Sequence, residues 1–166
     1  MSENYIMLNG KRVDLTDEQL EKLGLKVEKE DCFKRVKFLD SYCAMDMSGR
    51  VVYAREDNAA TDKSRHKIAN YCTDKSLMEK RALHETLSRL LWRFSMQNDG
   101  DKIDWSDRCQ EKYHITYDYV NKKFKIFSCQ TMCTEGVIWF ISSKTAQRAI
   151  DEIILTFMKE HPEFVW

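Results

Sequence analysis

Six cysteines and four histidines are the side chains here best suited to covalent or metal chemistry. Cys72 and His66 are close in sequence, and a Cys–His pair is what a nucleophilic thiol requires. Cys72 also precedes a helical pattern, and a helix N-terminus lowers a thiol pKa. The same pattern puts Cys72 at the end of a strand, where burial is the commoner fate, so the expectation is a packed thiol. Cys129-x3-Cys133 is the one close cysteine pair. No second pair or histidine follows at a finger-like spacing, and His66, His84, His114 and His161 are scattered. The five glycines form no phosphate-cradling loop, and no nucleophile elbow occurs. The expectation is no catalytic residue, no cofactor and no metal.

Two clusters interleave basic and aromatic residues, the arrangement that tracks phosphates and stacks bases. One is Lys34-Arg-x-Lys37 between Phe33 and Phe38. The other is Lys63, Arg65, His66 and Lys67, near Tyr71, Lys80 and Arg81. Acids lie close to both, so an ordinarily charged surface competes with a nucleic-acid site. Trp105, in a polar connector, and Trp166 are hard to place inside, and exposed aromatics are typical interface anchors. The tail Phe164-Val-Trp166 can equally fold back on its own domain. Trp92 sits at the edge of a helical stripe and is expected in the core. The candidate binding residues are Lys63, Arg65, His66, Lys67, Tyr71, Lys80, Arg81 and Trp105.

The 27 basic and 27 acidic residues cancel. That gives no global attraction to phosphate and argues against an acidic nucleic-acid mimic. A near-neutral pI fits a protein that spends its life bound to something or to itself, so a homodimer is among the expected states. No apolar run is long enough to span a bilayer. The opening Met1-Ser-Glu-Asn lacks the apolar stretch of a secretory signal, so a reduced, cytoplasmic location is expected, with cysteines as small buried hydrophobes.

These residues must be positioned by local elements. Ile6-Met-Leu8, a turn at Asn9-Gly10, and Lys11 to Leu15 read as a hairpin. Thr16-x-x-Gln19 is a capping box opening a short helix from Asp17 to Leu23, stopped by Gly24, with Leu15, Leu20, Leu23 and Leu25 as its apolar stripe. Glu28 to Asp31 reads as a connector, and Phe33 to Phe38 as a strand with basic residues on one side. Tyr42–Met47 and Arg50–Ala54 flank Ser48-Gly49 as a hairpin, pairing Met45 with Val52. Glu56 to His66 reads as a polar loop, and Lys67 to Cys72 as a short third strand. Thr73 is the expected cap of a long helix with a stripe of Met78, Leu83, Leu87, Leu90, Leu91 and Phe94, ending near Asn98-Asp-Gly100.

Tyr113–Tyr119 and Lys123–Ser128 form a clearer hairpin. A turn at Asn121-Lys122 would place Tyr119 opposite Phe124 and Tyr117 opposite Ile126. One face is aromatic and apolar. The other, with His114, Thr116, Asp118, Lys123 and Lys125, is expected to be the more solvated. Val137–Ile141 reads as a strand with Ile138 and Phe140 on one face and Trp139 on the other. Ser142 or Ser143 caps a last helix with a stripe of Ala146, Ala149, Ile150, Ile153, Ile154 and Phe157.

Residues 42–94 and 113–158 both read as hairpin, polar loop, short strand, capped amphipathic helix. The expected fold is therefore α+β, mainly antiparallel sheet with two amphipathic helices, in pseudo-duplicated β-β-β-α units plus a small N-terminal hairpin-helix flap. The boundaries are 1–25 for the flap, 26–100 for the first unit and 101–166 for the second, within one compact domain.

Five pieces together resemble a family of small phage and prophage proteins of Firmicutes. They are Leu8-Asn-Gly-Lys through Leu25, Asp46-x-Ser-Gly-x-Val51, Ile68-x-Asn-Tyr-Cys-Thr73, Asp104-Trp-Ser-Asp107, and Gly136-Val-Ile-Trp-Phe-x-Ser142. That family usually has Gly at the position of Ala69 and Phe at that of Cys72. The shared motifs are turns, caps and strand ends, so no catalytic residue is carried across. The resemblance implies a cytoplasmic protein of the bacterial host that binds a host target stoichiometrically, in the manner of anti-defence or anti-CRISPR inhibitors. The leading expectation is a non-enzymatic inhibitor of a host defence component such as a CRISPR effector nuclease. The alternatives are a nucleic-acid-binding module and a sponge for a signalling nucleotide.

Overall fold

The computed structural model describes residues 5–8, 10–24, 31–131 and 133–166. It is an α+β protein with small antiparallel sheets. Residues 1–34 and 35–166 form two compact units.

In the first unit, β1 (Tyr5–Leu8) pairs with β2 (Lys11–Asp14), placing Ile6 opposite Val13. Gly10, at φ +76°, makes the turn. The capping box forms as its residue types require: Thr16 N–H donates to Gln19 Oε1 at 2.8 Å, and Gln19 N–H to Thr16 Oγ1 at 3.4 Å. It opens α1 (Asp17–Lys22). Leu15 and Leu20 are buried, while Leu23 is exposed and drops out of the expected stripe. Leu25 and the Glu28–Glu30 part of the expected connector lie outside the described residues.

The strand expected at Phe33–Phe38 does not form, and the second unit opens on irregular chain. Its polar groups are committed to other segments: Arg35 bonds Glu56, Val36 N–H donates to Tyr71 Oη, and Leu39 N–H donates to Glu56 O. β3 (Ser41–Met45) then pairs with β4 (Val51–Arg55), with Met45 opposite Val51 and Ala44 opposite Val52. That is one residue off the expected register. The loop is three residues long, Met47-Ser48-Gly49, with Gly49 at φ +85°, so a single left-handed residue closes it. A slip of one exchanges the faces of β4.

The expected loop at 56–66 contains α2 (Ala60–Lys67), and the expected third strand shrinks to one bridge, Cys72 with Cys43. The outer edge of β3 is completed by two short devices. Cys43 and Cys72 exchange backbone hydrogen bonds at 2.7 and 3.0 Å. The Asn70 amide both accepts from Met45 N–H and donates to Met45 O, at 2.7 and 2.9 Å, standing in for a peptide of a neighbouring strand.

α3 (Lys75–Gln97) is the longest element. Its cap is Asp74, one residue after the expected Thr73, and the Asp74 carboxylate accepts from Leu77 N–H at 3.1 Å. Met78, Ala82, Leu87, Leu91, Phe94 and Ser95 form its buried stripe. The helix stops at Asn98, and Gly100 follows so close to its last turn that a Cβ there would lie 2.7 Å from Ser95 O.

β5 (Lys112–Asp118) pairs with β6 (Lys123–Cys129), and β7 (Trp139–Phe140) with β5, giving the order β6-β5-β7. Tyr117 faces Phe124 and Ile115 faces Ile126, two residues from the expected register. A slip of two preserves the faces, so the apolar face is the expected one. The loop lengthens because the Asp118 carboxylate accepts from Val120 N–H, Asn121 N–H and Lys125 Nζ. α4 (Ser143–Ala149), a π-helical turn (Ile150–Ile154) and α5 (Leu155–Glu160) continue one another, capped by Ser142.

The main core packs Leu87, Leu91 and Phe94 of α3 with Phe140, Ala146, Ile150, Ile154 and Phe157, and Phe164 closes it. Trp166 folds back onto Phe124, and its carbonyl accepts from Tyr119 Oη. A second, smaller cluster holds Tyr42, Ala44 and Tyr71. In both halves the chain returns after a hairpin to pair with the hairpin's first strand, antiparallel, just before a helix. No helix among the described residues is long and apolar enough to cross a membrane.

Candidate functional site

The candidate binding residues separate into distinct environments. Lys63, His66 and Lys67 are exposed on α2. Arg65 turns inward, and its Nη1 donates to Tyr42 Oη at 3.1 Å. Tyr71 is 1% exposed, which removes it as a stacking platform for a base. Its ring lies 3.8 Å from that of Tyr42, nearly parallel, and His66 meets it edge-on at 5.3 Å.

The two tyrosines each donate to a buried carboxylate. Tyr42 Oη reaches Asp62 Oδ1 at 2.6 Å, and Tyr71 Oη reaches Glu56 Oε2 at 2.9 Å. Arg35 clamps Glu56 through Nε and Nη2, at 2.9 and 2.6 Å. Asp62 Oδ2 also accepts from Asp57 N–H and Ala59 N–H, which fixes the chain entering α2. The Arg35 guanidinium holds the Glu56 carboxyl below the usual range, and the Tyr42 hydroxyl holds that of Asp62 well below it. Burial raises the Tyr71 phenol to about 12. Every polar member is paired, so the cluster is a structural lock on the first half.

Arg81 is also spent on structure. Its Nε pairs with Glu85 at 2.7 Å, and its Nη1 donates to Ala69 O. Ala69 has φ +55°, a conformation that glycine adopts without strain. Lys80 is exposed and lines a groove of about 580 Å³ with Arg50, Leu83, His161 and Glu163. Among the described residues its side chain makes no hydrogen bond or ion pair.

Trp105 belongs to a different cluster, on the sheet. It meets Trp139 edge-on at 5.3 Å, and Trp139 meets His114 at 4.7 Å. This covers the Lys112–His114 end of the face expected to be solvated. Burial lowers the His114 pKa. Lys112 is fully buried, and its ammonium donates to the carbonyls of Asp107, Gln110 and Gln130 at 2.7 to 3.0 Å. One lysine thus ties the loop that carries Trp105 to the end of β6.

Cys72 and Cys43 are buried, as expected of packed thiols, but Cys32 and Cys129 are half-buried and Cys109 and Cys133 exposed, against the expectation of buried cysteines. Burial raises the pKa of Cys43, the bridge partner of Cys72. Among the described residues no group of three or more His, Cys, Asp or Glu converges to hold a metal.

A surface absent from the expected set lies along α3. Trp92, expected in the core, is 58% exposed. Ser48 of the β3–β4 turn and Thr86, Arg89, Leu90, Trp92 and Arg93 of α3 line a groove of about 350 Å³. Beside Ser48, Met47 is fully exposed, and Tyr53 of β4 is also on the surface. One signal was present in the sequence: the helical neighbours of Trp92 at three and four residues are Ser88, Arg89, Ser95 and Met96, a largely polar set.

No protein-family model, curated protein or solved structure matches this chain.

Proposed function

We propose that this chain is a non-enzymatic binding protein of phage or prophage type that blocks a component of a bacterial host's defence by stoichiometric protein contact. The host-defence target, with CRISPR effectors as its leading class, comes from the resemblance in turns and caps. The contact mode is supported by one observation above all, the exposed Trp92 flanked by Arg89 and Arg93 on the rigid α3. Tryptophan and arginine are the residue types in which interface energy concentrates. An indole left in water contributes little to the fold that carries it. The test is a titration of purified effector nuclease with purified protein. Inhibition that rises in proportion and ends at an equimolar point supports the proposal. Inhibition by trace amounts, or none at equimolar protein, contradicts it.

A nucleic-acid-binding reading is favoured by one specific feature. Lys63, His66 and Lys67 share a face of α2, exposed, with no ion pair among the described residues. Retardation of labelled DNA or RNA that weakens steeply with salt, and is reduced by Lys63→Glu with Lys67→Glu, would support it. Salt-insensitive, weak association would dismiss it.

A further inference from the structure

We propose that the groove between the β3–β4 turn and the C-terminal half of α3 docks an acidic segment of the target protein carrying an apolar anchor residue. The proposal rests on the inhibitor reading and names the partner chemistry of its contact surface.

The groove is preformed. Gly49 brings the turn against α3 so closely that a Cβ on it would lie 3.2 Å from Thr86 Oγ1. Arg89, Trp92 and Arg93 occupy positions i, i+3 and i+4, so they share one face of the helix. Leu90 lines the groove and packs against the main core, giving it an apolar wall on a rigid base. A volume of about 350 Å³ has room for a large apolar side chain beside the indole.

The charges around it are one-sided. From Thr86 to Gln97 the helix carries two arginines and no acid. The Arg93 side chain makes no hydrogen bond or ion pair among the described residues. Arg89 has one bond, to Glu85 at 3.2 Å, and Glu85 is shared with Arg81. The acid on the turn, Asp46, is turned onto its own loop. It accepts from Ser48 N–H, Ser48 Oγ, Arg50 N–H and Arg50 Nε, and these bonds hold its pKa at about 2. Carboxylates from a partner would therefore meet two guanidiniums with little internal competition, and arginine pairs with carboxylate in bidentate geometry. One indole and two guanidiniums make a spot. A single-stranded nucleic acid needs a track of cations and repeated stacking platforms.

The test uses the full chain and a defined probe, a blocked peptide with two leucines flanked on each side by aspartate and glutamate. It is titrated into isotope-labelled protein while the tryptophan indole N–H resonances are followed. The Trp92 signal is identified by its loss in Trp92→Phe. The expected result is a saturating shift of that signal alone, with binding weakened roughly tenfold in Arg93→Glu. A matched peptide with lysine in place of the acids should leave the signal unmoved. The proposal is overturned if the acidic peptide leaves the Trp92 signal in place at millimolar concentration, if the lysine peptide binds equally, or if oligothymidine moves the signal and the acidic peptide does not. Failure of the wider reading looks different: the wild-type protein then blocks no effector. If Arg93→Glu protein blocks an effector as well as wild type does, the inhibitor reading stands and this docking surface is wrong.

Discussion

Tyr71 links three segments through one side chain. Its hydroxyl accepts from Val36 N–H and donates to Glu56, and its ring stacks on Tyr42. Tyr71→Phe keeps the ring, leaves the half-buried Val36 N–H without its hydroxyl partner and takes one of two donors from Glu56 Oε2. The expected cost is about 1–3 kcal/mol, read from the midpoint of urea unfolding. The same lock sets a pH dependence. Glu56 and Asp62 have folded pKa values below their ordinary ones, so their contribution is present at neutral pH. It is lost as pH falls through the folded values, beneath the usual carboxylate range of about 4. Glu56→Gln should flatten the acid limb of a stability–pH curve, and an unchanged limb would refute the assignment. Tyr71 works in the opposite sense. With its pKa raised to about 12, its contribution holds below the ordinary phenol value and disappears as pH rises through about 12.

The elements divide by how their sequences advertise them. α3, β5, β6 and the last helix have apolar residues at their own periods, and the sequence places them correctly. α2 has no such stripe. Ala60 to Lys67 is polar nearly all round, and the helix is held by Asp62 bonding the backbone of Asp57 and Ala59 and by Tyr42 meeting Asp62. The Asp62 bonds are a local cap and Tyr42 comes from elsewhere in the chain, and neither leaves a mark in periodicity. The hairpin registers depend on loop chemistry in the same way: Gly49 takes the β3–β4 loop to three residues, and Asp118 lengthens the β5–β6 loop. Two variants test this scale by calorimetry. Asp74→Ala removes the cap of α3 and should cost about 1 kcal/mol. Ala69→Gly replaces a left-handed alanine with the residue that adopts this conformation without strain, and should stabilise by about 0.5–1 kcal/mol. A loss of stability in the second would mean that the Ala69 side chain contributes more than its backbone conformation costs.

Across the whole molecule, the candidate site was legible in composition and mostly hidden in geometry. The sequence marked basic and aromatic residues between Lys63 and Arg81, but Arg65, Tyr71 and Arg81 are committed to internal partners. Lys63, His66, Lys67 and Lys80 remain on the surface. Trp92 reads as core because it borders the apolar stripe, its polar helical neighbours are the one opposing signal, and the structure leaves it on the surface. The expected consequence is a separation of stability from function. Trp92→Ala combined with Arg93→Glu should leave the thermal midpoint nearly unchanged, within the half kcal/mol or so typical of exposed sites. The most direct measurement is phage plating on a host that expresses the targeted defence, with wild-type or doubly substituted protein supplied in equal amount. The account predicts that wild type restores plaques and the folded double variant does not. If wild-type protein restores plaques on no defence-bearing host, the account is contradicted.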